Sequence, residues 1–422
     1  MNPFKYLARD LLTWAPLDPL PYQGVTFGKV LDQHGPWSGK LPLPQMWDAA
    51  TNTFLFDWKD ATRTSRTALF VDLQGTLVWG GILWTTNYES DDQTHSLAVG
   101  ATEFGSYYQH RLQADNYEDT WPEPGEDPMK IIRRVIEDAQ AAEVAPRKVI
   151  VGPTTGSLTE EEIPGPGYIT GSKIPIVLHG PEGFDVFVQY PGTSLQTIDS
   201  INSTLTQIGY GPGYDFSWDV EYLPGTNIPA VQLNLYRPLK GRTAEESGIV
   251  ILAGDTVKWT WPEDGSEQAT EVTETGSGTG GLEPAHATAN YPGYPLSQKA
   301  TARTQITTEG LLEIVALGDL ALYGYPVVSP VIVLAASLPD TPAQERKTLA
   351  LGEYDVGDRF TFKVTPMAQG GPHTDYRFPE GMECELRINA WTCTPADHGL
   401  STVQLTCGPP PLGYVPPPQL PH

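Results

Sequence analysis

The sequence predicts a mainly β protein with α+β inserts. Three observations point there. Gly (42) and Pro (40) make up about one residue in five of the 422, which limits helix and favours short strands joined by turns. Stretches of alternating apolar and polar residues recur toward both ends of the chain, the period of a half-buried strand. Between them lie segments whose apolar residues repeat at helical spacing, as a helix covering one sheet face would. The length suggests about three domains.

Residues 1–112 read as a small β-barrel. Val25–Leu31 is a strand, punctuated by His34-Gly35-Pro36, and Trp37–Leu41 is the next. A hairpin follows: Ala68–Val71, a turn at Asp72-Leu73-Gln74-Gly75, then Thr76–Trp79. Gly75 supplies the positive φ of a tight loop. Gly80-Gly81 is expected to interrupt the return strand before Ile82-Leu83-Trp84, as a bulge or a close backbone approach at a barrel corner.

Residues 113–246 read as an α+β insert. Gln113–Asp127 holds six acids and no Lys or Arg, so it reads as a solvated connector. Asp127-Pro128 starts a helix, with Asp at the N-cap and Pro at the first helical position. Its apolar face is Met129, Ile132, Val135, Ile136 and Ala139, Arg133 and Arg134 point to solvent, and Ala145-Pro146 ends it. Residues 145–193 read as loop-rich. A second helix is expected from a cap at Thr193 or Ser194, along Leu195, Ile198, Ile201, Leu205 and Ile208, to Gly209. Then Phe216, Trp218, Val220 and Tyr222 alternate on one strand, Pro224-Gly225 turns, and Val231, Leu233 and Leu235 alternate on the return.

Residues 247–326 read as a second insert or connector: a strand, an acidic tract rich in Thr, Ser and Gly, and a helix over Thr308–Leu322. Residues 327–408 read as a C-terminal β-barrel, with Tyr354–Asp358 as a turn feeding Arg359–Val364, then Glu385–Trp391 and Thr402–Thr406. The stretch from Gly408 to His422 has seven prolines in fifteen residues and reads as extended and polyproline-like, a Pro-rich extended segment over 409–422.

The charge and the motifs exclude several functions. With 26 Lys and Arg against 51 Asp and Glu, the net charge is −25, which repels phosphate backbones. Met1–Leu20 lacks the unbroken apolar core of a secretory signal. The apolar run Ala321–Ser337 holds Pro326 and Pro330 and falls short of the roughly 20 residues a spanning helix needs. Cys384, Cys393 and Cys407 are odd in number and have no zinc spacing, so they read as buried hydrophobes, with one bridged pair as the alternative.

No HExxH, GxSxG or Walker loop is present. Gly209–Gly213 follows a helix instead of opening one, so it cannot cradle a phosphate. His95, His110 and the other six His are scattered. Glu160, Glu161 and Glu162 read as a solvated face. Asp215 and Asp219 flank Trp218, which would suit a sugar site. The simpler reading makes them solvent-face polars alternating with core aromatics. No catalytic residue, cofactor site or metal site is assigned, and the chain reads as non-enzymatic.

The ordered pieces resemble a family. Gly35-Pro36-Trp37-Ser38-Gly39 before Leu41-Pro42-Leu43 resembles the entry motif of phage tail hub proteins. The hairpin Leu69–Ile82, with its Gly80-Gly81, resembles their first-barrel signature, with Gln74 where a turn Asp is expected. The tract Ile249–Gly278 is similar to their polar loop and strand. Tyr354-Asp355-Val356-Gly357-Asp358, then Leu386-Arg387-Ile388, resembles their late turns. Each motif alone is weak, but their order spans nearly the whole chain.

The resemblance implies a minor tail protein at the tail tip or baseplate hub of a long-tailed actinobacteriophage. It implies two small β-barrels flanking α+β domains, and a homotrimeric ring whose six barrels continue a sixfold tail tube. It implies a distal tail protein, the tape measure protein and other minor tail proteins as partners, around a channel that passes DNA without stable nucleic-acid binding and without membrane insertion. Assembly would occur in the host cytoplasm, and the virion tail tip would be its final place. The connector Gln113–Asp127 and the Pro-rich segment look like additions of this protein to the family pattern, and the segment would dock on a neighbouring tail protein. Two alternatives stay open: a carbohydrate-binding or carbohydrate-active β protein, suggested by 10% aromatic residues and the acid excess, and a hexameric distal tail ring protein.

Overall fold

A computed structural model of the chain describes residues 3–91, 95–113, 126–151, 159–181, 188, 190, 192–206, 214–276, 284–288, 294–303, 306, 309–336, 349–366, 377–396 and 401–409. The first strands are β1 (Phe4–Asp10), β2 (Gln23–Val30), β3 (Pro36–Pro42), β4 (Thr67–Leu73), β5 (Thr76–Ser90) and β6 (His95–Glu103). They pair antiparallel in the order β2-β3-β6-β5-β4-β1. The sheet curls strongly. Phe4 on β1 lies 5.8 Å from Phe27 on β2, edge to face, across the interior.

The β4–β5 loop is shorter than the sequence suggests. Asp72 and Leu73 remain in the ladder, with Leu73 opposite Thr76. The loop is Gln74-Gly75, at φ 53° and 93°, the two positive values of a type I′ turn. Asp72 Oδ1 accepts the Gly75 N–H at 3.0 Å. Gly80-Gly81 does not interrupt the strand; β5 runs through both. They mark close approach instead. A Cβ on Gly80 would lie 2.7 Å from Val220, and one on Gly81 would lie 2.2 Å from the Thr102 carbonyl oxygen. β4 is buried along its whole length. Leu69 and Val71 face the interior of the curl, while Ala68 and Phe70 face the insert. That is why it reads as a continuous apolar run rather than an alternation.

The insert begins as expected. Asp127 caps α1 (Pro128–Val144), accepting the Met129 N–H at 2.8 Å. Met129, Ile132, Val135 and Ile136 are buried. The loop-rich reading of 145–193 is corrected in part. β7 (Arg147–Val151) and β8 (Thr159–Ile163) form an antiparallel pair there, so the three glutamates lie on a strand, with Glu162 exposed. β9 (Ile176–His179) follows. The second helix starts later than its apolar spacing suggests. Thr193 and Ser194 lie in a 3-10 turn, Leu195 is exposed with φ 49°, and α2 (Ile198–Thr206) is capped by Thr197, whose hydroxyl accepts from Ser200 N. Ile208, Gly209 and Gly213 lie outside the described residues. β10 (Asp215–Tyr222) and β11 (Pro229–Tyr236) pair as the alternation requires, and β9 adds parallel to β11.

The next segment holds β12 (Val250–Leu252), β13 (Lys258–Thr260), β14 (Glu271–Gly276), β15 (Ala285–Thr288), β16 (Gln298–Arg303) and α3 (Glu309–Tyr323). The acidic tract is thus partly structured, because β14 is the centre of a three-stranded sheet packed by α3. The apolar run after α3 leads into β17 (Val331–Ala335). The last strands are β18 (Arg359–Val364), β19 (Met382–Thr394) and β20 (Thr402–Gly408).

The first and last strand sets are one sheet of thirteen strands. β19 joins them. It pairs with β18 and β20 through 382–394, bulges at Asn389, and pairs with β2 through Ala390–Cys393. Phe27, Trp37 and Trp79 accordingly share one hydrophobic cluster with Phe360, Phe362 and Trp391. The chain is mainly β with α+β inserts. Cys384, Cys393 and Cys407 are free thiols, the last two buried. The segment 410–422 and most of the acidic connector, 114–125, lie outside the described residues. Among the described residues, no helix is long and apolar enough to cross a membrane.

Candidate functional site

The polar face of β10–β11 is largely covered, with Glu221 at its end left exposed. Phe216, Trp218 and Val220 point to the insert core opposite Leu235, Leu233 and Val231. The other face carries Asp215, Ser217, Asp219 and Asn234, and it packs against the thirteen-stranded sheet. This corrects the solvent-face reading of Asp215 and Asp219. Asp215 is buried, and Asp219, its side chain 30% exposed, is the centre of a part-buried ion network.

Lys29 on β2 reaches across to Asp219 Oδ1 at 2.9 Å and lies 3.6 Å from Asp355 Oδ2. Lys240, just after β11, pairs with Asp355 from the other side. Arg387 on β19 pairs with Asp215, and donates to the Lys240 carbonyl at 3.0 Å and the Gly357 carbonyl at 3.2 Å. Asp219 Oδ2 accepts from Ser217 and Asn234, each at 2.8 Å. Trp391 Nε1 donates to Asp355 at 3.2 Å. Arg242 and Asp358 add a bond at 2.6 Å on the rim. One network therefore ties the first strands, the insert and the last strands together.

Its electrostatics follow from burial against pairing. Burial opposes the charge on Asp219, but Lys29 and Lys240 outweigh it and hold the carboxylate below its ordinary pKa. Burial likewise opposes the Lys29 ammonium, yet Asp355 and Asp219 keep it above the usual lysine value. Glu103, at the end of β6, sits nearby and accepts the Gly35 N–H at 2.6 Å. There burial wins over Lys29 and pushes the carboxyl up to about 8. Asp32 is also pushed up to about 8, by burial and by Asp215 beside it, while accepting Phe216 N–H at 2.8 Å.

These groups hold parts together and are saturated by one another. A shallow depression beside the network is lined by Arg242, Glu353 and Asp358, whose Arg242–Asp358 pair is already made. Among the described residues, no group of three or more His, Cys, Asp or Glu is arranged to hold a metal ion. His95 bonds to Ser90 and Tyr88 on the β5–β6 arm, and His110 packs on Trp84, so the two are not brought together. No spacing singles out Lys29, Glu103, Lys240, Asp355 or Arg387; the signal the sequence carries is a charge at an inward position of a strand, as Lys29 stands in Val25–Leu31 and Arg387 in Glu385–Trp391.

Comparison with known proteins agrees with this architecture. No family model and no curated protein matches the chain. Solved structures do. A tail protein from Neisseria meningitidis matches over 96% of both chains at 8% identity, with a TM-score of 0.54. The 43 kDa tail protein of prophage MuSo2 from Shewanella oneidensis matches over 96% of this chain and 98% of its own, at 11% identity and a TM-score of 0.56. A prophage tail protein from Listeria monocytogenes matches over 95% and 94%, at 13% identity and a TM-score of 0.51. The fold is that of phage tail proteins. The likeness runs the full length of the chain, so it includes the inserts as well as the sheet.

Proposed function

We propose that this chain is a structural virion protein of a phage tail tip or baseplate hub, and not an enzyme. The observation that carries this reading is the full-length fold likeness to three tail proteins. In this reading three copies form a ring, and each contributes the two curled halves of its sheet to continue a sixfold tube. The division is 1–112 and 327–408 for the curled halves, 113–246 and 247–326 for the inserts, and 409–422 for a Pro-rich extension. The distal tail protein and the tape measure would bind the ring. A net charge of −25 would let DNA pass a channel without adhering, since like charges repel. The part-buried ion network supports a structural role because it uses its charges on one another.

Cryo-EM of the assembled particle tests this. Threefold density for the chain below a sixfold tube is the expected result. Sixfold density would assign it to the distal tail ring instead. A monomer that binds cell-wall glycans would favour the carbohydrate reading. Trp37, Trp79, Trp218 and Trp391 are buried, which leaves Trp47, beside Phe54, as the exposed tryptophan among the described residues to substitute in that assay.

A further inference from the structure

α3 carries a carboxyl on its inward side. Leu312, Val315, Ala316 and Asp319 follow one another at helical spacing, and all four are buried. The sheet beneath the helix presents a second carboxyl. Glu274 on β14 alternates with Val272, and the register puts Ala285 of β15 and Thr301 of β16 beside it, so Glu274 faces α3. Arg303, two residues past Thr301, bridges the two acids. Its Nε donates to Glu274 Oε2 at 3.2 Å, and its Nη2 donates to Asp319 Oδ2 at 3.0 Å. The Glu274 side chain is 0% exposed, that of Asp319 12% and that of Arg303 15%.

One guanidinium therefore serves two carboxyls that stand within hydrogen-bonding reach of each other. Glu274 Oε1 is buried and has no donor among the described residues. A buried anionic oxygen without a donor is costly, and two carboxylates in contact resist ionising together. A proton on either carboxyl removes both costs. It gives one acid an O–H to donate to the other, and it leaves one negative charge opposite one positive charge.

We propose that Glu274 and Asp319 share one proton, and that this proton is a pH-sensitive clasp holding α3 on its sheet. The other charged groups nearby are engaged elsewhere. On β16, Lys299 shares the inner face but pairs with Glu267 at 2.8 Å and lies over the Tyr323 ring at 3.5 Å. On β14, Glu271 is on the opposite face and accepts from Gln298 at 2.6 Å. On β15, His286 is exposed and bonds Thr273 on that same opposite face. On α3, Glu309 and Glu313 are exposed.

The sign follows from the proton count. Burial and Asp319 outweigh Arg303 and push the Glu274 carboxyl from 4.5 up to about 7. Opening α3 returns Glu274 to water and to its ordinary value. The closed state therefore holds the extra proton between those values. Its advantage over the open state is full below pH 4.5, falls about tenfold per pH unit toward 7, and then levels.

Hydrogen exchange of the full chain, read by mass spectrometry on residues 309–323 and corrected for the chemical exchange rate, tests this. From pH 5 to pH 8 the opening constant of α3 should rise roughly 70-fold. Glu274→Gln fixes the neutral partner in place, so α3 should stay protected at both pH values. Asp319→Asn should do the same from the other side. Protection at pH 5 shows that each variant is folded. An α3 that opens equally at pH 5 and pH 8, or a rise that survives either variant at full size, overturns the shared proton.

Discussion

Replacing Lys29 by Met removes one charge and keeps most of the apolar stem. The side chain is 11% exposed, with Asp219 at 2.9 Å and Asp355 at 3.6 Å. After the substitution, Asp219 keeps its bonds from Ser217 and Asn234 and the field of Lys240 but loses its directly paired cation, and Asp355 keeps Lys240. The carboxylates are 30% and 37% exposed, so the loss falls between that of an exposed pair and that of a fully buried one, about 1–3 kcal/mol. The same molecule supplies the control. Lys40 pairs with Glu89 at 3.3 Å, but the two side chains are 58% and 50% exposed, so Lys40→Met should cost less than about 1 kcal/mol. Urea unfolding followed by tryptophan fluorescence measures both. Adding Asp219→Asn to Lys29→Met should recover part of the loss, since neutralising the stranded carboxylate removes the cause. A Lys29→Met protein no less stable than Lys40→Met would refute the account of the network as a part-buried tie.

Three further outcomes follow from other sites. Gly80→Ala would place a methyl 2.7 Å from Val220 and 2.8 Å from Phe70, so it should cost about 1–3 kcal/mol by overpacking; an unchanged melting temperature would show that β5 and β10 can separate freely. Trp79 is fully buried, and Trp79→Asp puts an unpaired charge in the sheet interior, so the variant should be recovered unfolded or aggregated; normally assembled particles would contradict the packing. Glu103 releases its proton near pH 8 when folded, against 4.5 for its ordinary value. The folded state therefore holds an extra proton between those values, and stability from this group falls by about 1.4 kcal/mol per pH unit as pH rises from 4.5 toward 8, then levels. Urea midpoints at pH 5, 6.5 and 8 read this slope together with that of Asp32, also raised to about 8, and Glu103→Gln should make it shallower by about 1.4 kcal/mol per pH unit. A slope unchanged in that variant would assign the whole effect to other groups.

Local signals carried far along this chain. Asp127-Pro128 marks the start of α1 because cap chemistry needs no tertiary partner. The β10–β11 alternation shows which residues face the insert core. What alternation cannot reveal is what covers the opposite face. Asp215 and Asp219 have the spacing of solvent-facing residues, and only the approach of β2 and β19 turns them into ion-paired groups, Asp215 buried and Asp219 partly so. Leu195 fits the helical spacing of α2, yet Thr197 caps the helix after it, since a hydroxyl at the N-cap outweighs one apolar contact. The joining of β2 to β19 rests on residues about 360 positions apart, a separation at which no local pattern specifies a partner.

That pairing also constrains the order of events at the ribosome. β2 emerges early with one edge unpaired, and its partner Ala390–Cys393 follows roughly 20–70 s later at ordinary rates of synthesis. During that interval Phe27 and its neighbours have no lid from Trp391. The nascent chain thus carries an open, apolar edge for most of its production, a template for pairing with other nascent chains. Overproduction of the isolated residues 1–112 should accordingly give insoluble material. Completion of the chain, rather than any early segment, closes the sheet.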